Sequence, residues 1–291
     1  MMQPNRGLAV LDKVPAPIVV LASVISVQFG AALARGLFPI VGPAGTVLLR
    51  LSVAILCLWG ILRPNIWKIF RAHPKLIVLF GLTIGLSTLF FYVAVSRIPL
   101  GVAIALEFIG PLAVALWNSR RMIERMWVLL AALSILLLVP EIGTSLDAYG
   151  VGAALIAACF WGFYIVLAPK VAAVVPEYDG LVAALCVAWI ILLIPGVMQG
   201  GVHLFEGPVL WQSLIMGIMA AVLPFTFDFN ALKRLPARVY GVLVCSEPIV
   251  GTVIGYVVLG EHLTLATIGA VVGVTVASIG STLTHQEVAH E

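Results

Sequence analysis

Two carboxylates stand inside apolar stretches of this 291-residue chain: Glu107, which is followed by Gly110-Pro111, and Glu247, which is followed directly by Pro248. A carboxylate in the middle of a bilayer costs about 2.5–3.5 kcal/mol on insertion scales, so such residues are by default functional. A proline also frees the carbonyl group four residues earlier, and for Pro111 that carbonyl belongs to Glu107. An acid beside a freed carbonyl suits an ammonium group or a proton. The alternative is that these prolines only kink helices while the acids pair with neighbouring polar groups.

Arg50 is a third charged residue inside an apolar stretch. It lies seven residues after Pro43, which is about 10 Å at the helical rise of 1.5 Å per residue. As a functional group, its guanidinium would bind a carboxylate through two parallel hydrogen bonds. As a structural group, it would reach the membrane interface or pair with Glu107 or Glu247. Both interpretations are open from the sequence.

Uncharged side chains offer further candidates. Gln28 either lines a polar pathway or joins neighbouring helices through hydrogen bonds. The pair Phe29-Gly30 is echoed by Trp161-Gly162, so Phe29 and Trp161 either face the centre of the protein or pack between helices.

Two other acids have more ordinary interpretations. Asp228 lies shortly before Lys233 and Arg234, which predicts an ion pair at the membrane interface. Glu261, in the sequence Gly260-Glu261-His262-Leu263-Thr264, is expected to help cap the last helix.

The composition of the chain predicts the kind of secondary structure that carries these residues. Hydrophobic residues make up 62% of the chain and charged residues 10%, against roughly 45–50% and 25% in soluble domains. These values exclude a water-soluble enzyme and a disordered chain. Long apolar runs without strand-like alternation predict transmembrane helices. We predict ten spans, at residues 14–34, 43–62, 75–96, 99–117, 126–140, 148–169, 180–198, 208–229, 236–259 and 263–284, the first of them too long for a signal-peptide core.

The basic residues predict the orientation of these spans. With a cytoplasmic N-terminus, Arg35 and Arg97 lie on the outer side and Arg50 lies within a span. The other Lys and Arg residues then lie on the inner side: Arg6, Lys13, Arg63, Lys68, Arg71, Lys75, Arg120, Arg121, Arg125, Lys170, Lys233, Arg234 and Arg238. This positive-inside bias predicts that both termini are cytoplasmic.

The sequence repeats itself weakly at an offset of 137 positions. Residues 94–99 (AVSRIP) fall on residues 231–236 (ALKRLP), and Pro111 falls on Pro248. Span four thus matches span nine, which predicts two halves of five helices each. Because five is odd, the second half must cross the membrane in the opposite direction. Inverted repeats are common in secondary transporters, whose binding site lies near the membrane midplane where the halves meet.

Motifs of other protein classes are missing from the sequence. We find no HExxH, GxSxG, Walker A or GxGxxG motif. The four cysteines have neither CxxC nor metal-ligand spacing and are interpreted as small buried apolar residues. We therefore expect no cofactor, no metal and no nucleic-acid partner, and transport by ion coupling or facilitation instead of ATP hydrolysis.

Several segments resemble a known family. They are residues 101–116 (GVAIALEFIGPLAVAL) with 119–121 (SRR), and also 30–34 (GAALA), 37–39 (LFP), 235–238 (LPAR) and 259–261 (LGE). The chain resembles the EamA-type transporters of the drug/metabolite transporter superfamily, and among them the bacterial threonine/homoserine exporters. The resemblance implies an all-helical membrane protein with two EamA repeats of five helices, residues 14–140 and 148–284.

The resemblance and the residues together predict a function. We expect a transporter in the bacterial inner membrane that exports threonine, homoserine or similar neutral amino acids by alternating access. Glu107 would meet the substrate ammonium or exchange a proton, Arg50 would meet the substrate carboxylate, and Glu247 would support the site from the other half. One alternative is the same fold with another cargo, such as a purine, an aromatic amino acid or a drug-like cation. The other is an intramembrane enzyme or a lipid-handling protein, against which the missing nucleophile and metal motifs argue.

Overall fold

The computed structural model describes residues 13–62, 64–118, 122–137, 146–175, 177–232, 234–235 and 237–287. Its α-helices are α1 (Ala16–Arg35), α2 (Phe38–Leu62), α3 (Ile66–Ala72), α4 (Pro74–Val95), α5 (Leu100–Glu107), α6 (Ile109–Asn118), α7 (Met122–Leu136), α8 (Ala148–Ala172), α9 (Glu177–Gly200), α10 (Gly207–Gly217), α11 (Leu223–Leu232), α12 (Ala237–Val244), α13 (Glu247–Leu259) and α14 (Leu265–Glu287). A 3₁₀ turn (Gly201–Phe205) follows α9, and a π-helical segment (Ile218–Val222) joins α10 to α11.

Length and hydropathy agree with a multi-pass membrane protein. Within the described residues, eight helical stretches are at least 18 residues long and apolar enough to cross a membrane. Predicted spans four and five coincide instead with two shorter apolar stretches, Leu100–Val114 and Arg125–Leu136. Span five was predicted to end at residue 140, and its last three residues lie outside the described part of the chain. The all-helical membrane architecture is confirmed, whereas ten complete spans remain a prediction.

In two of the predicted spans, four and nine, the helix is interrupted just before a proline. α5 ends at Glu107, four residues before Pro111, and α12 ends at Val244, four residues before Pro248. In each case the proline lacks the amide hydrogen that would bond the last carbonyl of the preceding helix. Both ends of α12 lie 137 residues after the corresponding ends of α5, which is the offset of the sequence repeat.

α2 begins five residues before the predicted span because two helical pieces join there. Gly42 has φ 68° and ψ 169°, a conformation that only glycine adopts at little cost. Pro43 follows and cannot donate a hydrogen bond. The next amide, that of Ala44, donates to Oε1 of Gln199 on α9 at 2.8 Å. The bend is therefore fixed by a side chain from a distant part of the sequence.

The structure corrects the prediction that Glu261 helps to cap the last helix. The last helix, α14, is capped by Thr264, whose Oγ1 accepts the amide of Thr267 at 3.0 Å. The Glu261 carboxylate instead caps α5, because its two oxygens lie 3.1 and 3.0 Å from the amide nitrogen of Leu100. The predicted cap was wrong because the amide that Glu261 caps lies 161 positions away in the sequence.

Helices from the first and second parts of the chain are interleaved. α4 packs on α8 and α9, α2 on α9 and α10, α1 on α11 and α13, and α7 on α14. One buried cluster accordingly combines Leu106 of α5 with Ala154 of α8 and Val274 of α14. The core therefore lies between the two parts of the chain, so that neither part has a separate core of its own.

Candidate functional site

Glu107 lies where α4, α5 and α8 meet. It is the last residue of α5 and is half-buried. The Ser87 hydroxyl on α4 donates to Oε1 of Glu107 at 3.3 Å and also lies 3.3 Å from the carbonyl oxygen of Ala157 on α8. Because the helix stops here, the carboxylate stands beside backbone that makes no continuous helix hydrogen bonds.

The interruption after Glu107 is packed by small and aromatic residues. The ring of Phe108 meets Trp161 edge to face, with centroids 5.1 Å apart and planes at 85°. Gly110 lies so close to the Ala158 carbonyl that a Cβ atom at this position would overlap it. Trp161 thus packs next to the interruption, and Gly110 lets α6 approach α8.

Glu247 lies in the corresponding part of the second half. It is the first residue of α13, is half-buried, and immediately precedes Pro248. Its carboxylate lies within electrostatic range of Glu107 and of Asp228. The two candidate acids are therefore neighbours, although 140 positions separate them in the sequence.

Asp228 is closer to this group than the sequence predicted. Its carboxylate lies against the hydroxyl groups of Ser23 on α1 and Tyr240 on α12. Lys233, one of its two expected partners, is outside the described residues. The guanidinium of Arg234 donates to Asn230 at 3.1 Å and to the carbonyl of Val14 at 2.6 Å. The sequence assigned Asp228 to an interfacial ion pair because it lies near the end of span eight, and its carboxylate lies within electrostatic range of Glu247 as well.

Arg50 is directed at the interior of the protein. Nη1 donates to the Tyr92 hydroxyl at 3.2 Å, and Nη2 donates to the carbonyl of Ala220 in the π-helical segment at 3.0 Å. Its guanidinium carbon is 5.4 Å from the centre of the Tyr92 ring. Ala220 lies four residues before Pro224, so its carbonyl lacks the usual helix donor and is free to accept from Arg50. Arg50 also lies within electrostatic range of Glu107.

Gln28 and Phe29 have different surroundings, although they are adjacent on α1. Gln28 is 2% exposed, and its Oε1 has no hydrogen-bond partner among the described residues. That oxygen lies beside Gly251, one turn after Glu247. Phe29 is 36% exposed. The structure thus places Gln28 in the interior beside α13 and leaves Phe29 partly exposed.

Together these residues place opposite charges in one buried region. The Glu107 carboxylate lies within electrostatic range of the Arg50 guanidinium and of Glu247, which in turn lies within electrostatic range of Asp228. The unsatisfied Oε1 of Gln28 lies beside Gly251, one turn after Glu247. A buried polar atom without a partner is costly, so such an atom indicates a place where a ligand donor would be favourable. The arrangement can hold an ammonium group on its acidic side and a carboxylate on its basic side.

A separate hollow of about 600 Å³ opens on the surface between the end of α2, α3 and α9. It is lined by Trp59, Pro64, Asn65, Ile66, Trp67 and Cys186. None of the predicted site residues contributes to it.

Comparisons with known proteins point to one family. A profile of the EamA-like transporter family matches residues 148–283. The threonine/homoserine exporter RhtA of Salmonella typhimurium (strain LT2) is 38% identical over 272 residues, which are 92% of this chain and 91% of that protein. The protein of the same name from Escherichia coli (strain K12) is 38% identical over 281 residues, 94% of each chain. A solved crystal structure superposes with a TM-score of 0.61 at 14% identity, covering 94% of this chain and 98% of its own, which indicates a shared fold.

Proposed function

The chain belongs to the EamA-like transporter family, and we propose that this membrane exporter carries threonine, homoserine or similar small neutral amino acids out of the bacterial cytoplasm. It is a transporter and not an enzyme. The substrate proposal is supported by relatives named threonine/homoserine exporters, which match it over more than nine tenths of both chains. The inner membrane is the location that this activity requires.

One observation carries the binding mode: Glu107 lies at a helix interruption within electrostatic range of both Glu247 and Arg50. A zwitterionic amino acid has charges that match this pattern. In the proposed complex, Glu107 meets the substrate ammonium and Glu247 adds to the negative field from the other half. Arg50 meets the substrate carboxylate. The free Oε1 of Gln28 accepts a hydrogen bond from the ammonium or from a substrate hydroxyl.

Transport proceeds by alternating access of two inverted five-helix halves, residues 14–140 and 148–284, with both termini cytoplasmic. The matched bounds of α5 and α12 support this arrangement. Several helix contacts also support it, because exchanging the halves converts them into other contacts that exist. The α4–α8 contact corresponds to α11–α1, α4–α9 to α10–α2, and α6–α8 to α13–α1.

Two arginines add independent support for the inverted repeat. Arg97 binds Asp147, the residue immediately before α8, at 2.8 Å. Arg234, 137 positions after Arg97, binds the carbonyl of Val14, two residues before α1. Each arginine thus ties the segment before an interrupted span to the start of the first helix of the other half.

Counterflow of labelled threonine or homoserine in reconstituted proteoliposomes tests the proposal. We expect uptake by the wild type and a loss of about tenfold or more in Glu107→Gln, equivalent to about 1.4 kcal/mol of lost interaction. Glu206→Gln, at an exposed acid outside the site, is the matched control and should transport normally. Wild-type rates in Glu107→Gln at every pH would contradict the role given to Glu107. Proton exchange at Glu107 further predicts that a pH gradient drives net uptake.

The three neighbouring carboxylates favour one rival cargo, a drug-like cation. A competition panel separates the two cargoes. Inhibition of labelled threonine counterflow by unlabelled homoserine supports amino-acid export. A protein that transports an organic cation or a purine while ignoring threonine would have the same fold and a different substrate.

A further inference from the structure

A buried carboxylate ties three helices together at the end of the bundle where α1 finishes. Glu261 is 9% exposed. It accepts the amide of Leu100, the first residue of α5, and forms an ion pair with Arg35, the last residue of α1. Its own amide donates to the carbonyl of Gly255 on α13 at 3.1 Å. One residue therefore holds the ends of α1, α5 and α13.

The surrounding backbone leaves room for this carboxylate. A Cβ atom at position 255 would overlap Oε2 of Glu261, so only glycine fits there without a shift. Gly260 takes the left-handed conformation, φ 66°, which ends α13 and turns the chain towards Glu261. The carboxylate caps the start of α5, and the eight residues of α5 then lead to Glu107. Glu261 thus sets the position of Glu107 through about 12 Å of helix.

We propose that Glu261 is a positioning residue that latches the outer end of the transporter closed. This inference rests on the proposed alternating access and adds to it a group that sets its balance. Outward opening must separate the end of α1 from the start of α5, which breaks the Glu261 contacts. A carboxylate that stabilises only one of two conformations shifts the population towards it.

Side-specific labelling tests this latch. Leu37 is fully buried at the outer end, two residues after Arg35, and Leu37→Cys provides the reporter in a background with the four native cysteines replaced by alanine. The measurement is the rate of labelling by a membrane-impermeant maleimide in oriented proteoliposomes. We expect Glu261→Gln to raise this rate about fivefold or more, because it favours the outward-open state. Arg35→Gln, which keeps the cap on α5, should raise it to a smaller extent.

Glu206→Gln, at an exposed acid outside the latch, should leave the labelling rate unchanged. Equal rates in wild type, Glu261→Gln and Arg35→Gln, in variants with unaltered size-exclusion profiles, would overturn the proposal. The assay needs no substrate, so failure of threonine transport and failure of the latch are distinguishable.

Discussion

Arg50 already has structural partners in the protein. Its two terminal nitrogens contact the Tyr92 hydroxyl and the Ala220 carbonyl, while Glu107 lies within electrostatic range. Pro224, four residues after Ala220, cannot donate to that carbonyl. In the proposed complex, a substrate carboxylate would be a stronger acceptor than this carbonyl, because it carries a full negative charge and can accept two parallel hydrogen bonds from the guanidinium.

Arg50→Lys keeps the charge and removes the fork of donors. Lysine cannot reach the hydroxyl and the carbonyl in the same geometry or bind a carboxylate in bidentate fashion. We expect the KM for threonine counterflow to rise about tenfold, which is about 1.4 kcal/mol of binding free energy. Tyr92→Phe, which removes one Arg50 contact and leaves the guanidinium in place, should change the KM much less. An unchanged KM in Arg50→Lys would show that Arg50 does not bind the carboxylate.

At the level of residues, the sequence predicted which charged side chains lie inside the protein. It did not predict which residues these side chains contact. Glu107 and Glu247 are recognisable because an acid in an apolar stretch is expensive and needs a reason. Asp228 has the same signal, but it stands close to the predicted end of a span, where a few residues decide between interface and interior. The cap that Glu261 provides for Leu100 joins positions far apart in the sequence, and no local pattern indicates such a contact.

Among the helices, the contact of α6 with α8 depends on the absence of a side chain. A Cβ atom at Gly110 would overlap the Ala158 carbonyl, which is backbone and cannot move aside. We expect Gly110→Ala to lower the free energy of unfolding by about 1–3 kcal/mol, the usual cost of overpacking. Thermal unfolding of the wild type and the variant in detergent measures this change in stability.

Gly152→Ala, on α8, is the matched control for this prediction. No atom lies within 4 Å of the position that its Cβ would take. Alanine has the higher helix propensity, so this substitution should be neutral or stabilising by up to about 1 kcal/mol. Equal unfolding temperatures for the two variants would contradict the close approach of α6 to α8.

The residue that caps the start of α8 makes a pH-dependent contribution to the stability of the folded protein. Asp147 caps this helix, and its hydrogen bond from Arg97 holds the pKa of the carboxyl below its usual value, with further support from the amides of Tyr149 and Gly150. A lowered pKa in the folded state stabilises the protein at pH values above the unfolded pKa, about 3.9 for aspartate. That contribution is lost as the pH falls through the lowered folded pKa.

Asp147→Asn isolates the charge, because asparagine is also a good N-cap. We expect the variant to unfold at a lower temperature than the wild type at neutral pH, and the two temperatures to converge below about pH 4. Melting temperatures of both proteins in detergent over a pH series provide the measurement. A difference that persists or grows in acid would mean that the Arg97–Asp147 pair does not supply it.

Helix interruptions were predictable where proline causes them and not where packing does. Pro111 and Pro248 marked the ends of α5 and α12 through their missing amides. The bend at Gly42 and the π-helical segment Ile218–Val222 are completed by partners elsewhere, among them Gln199 and Arg50. Hydropathy located the spans and could not supply these tertiary contacts.

At the scale of the whole molecule, helices from the two parts of the chain are interleaved, and the strongest packing joins helices of different parts. Glu107 and Glu247, one from each part, lie within electrostatic range of each other. Composition and the long apolar runs were sufficient to predict a multi-pass membrane protein. Which helices touch could not be read from the sequence, because it depends on side-chain fit between distant segments.

Equilibrium binding of labelled threonine to the purified wild-type protein tests most directly whether Glu107, Glu247 and Arg50 recognise both charges of an amino acid. The competitors are threonine, N-acetylthreonine, which lacks the ammonium, and threonine amide, which lacks the carboxylate. We predict that threonine competes and that each analogue is weaker by about tenfold or more, because each leaves one buried charge of the site unpaired. Competition by N-acetylthreonine as strong as that by threonine would contradict an ammonium site formed by Glu107 and Glu247.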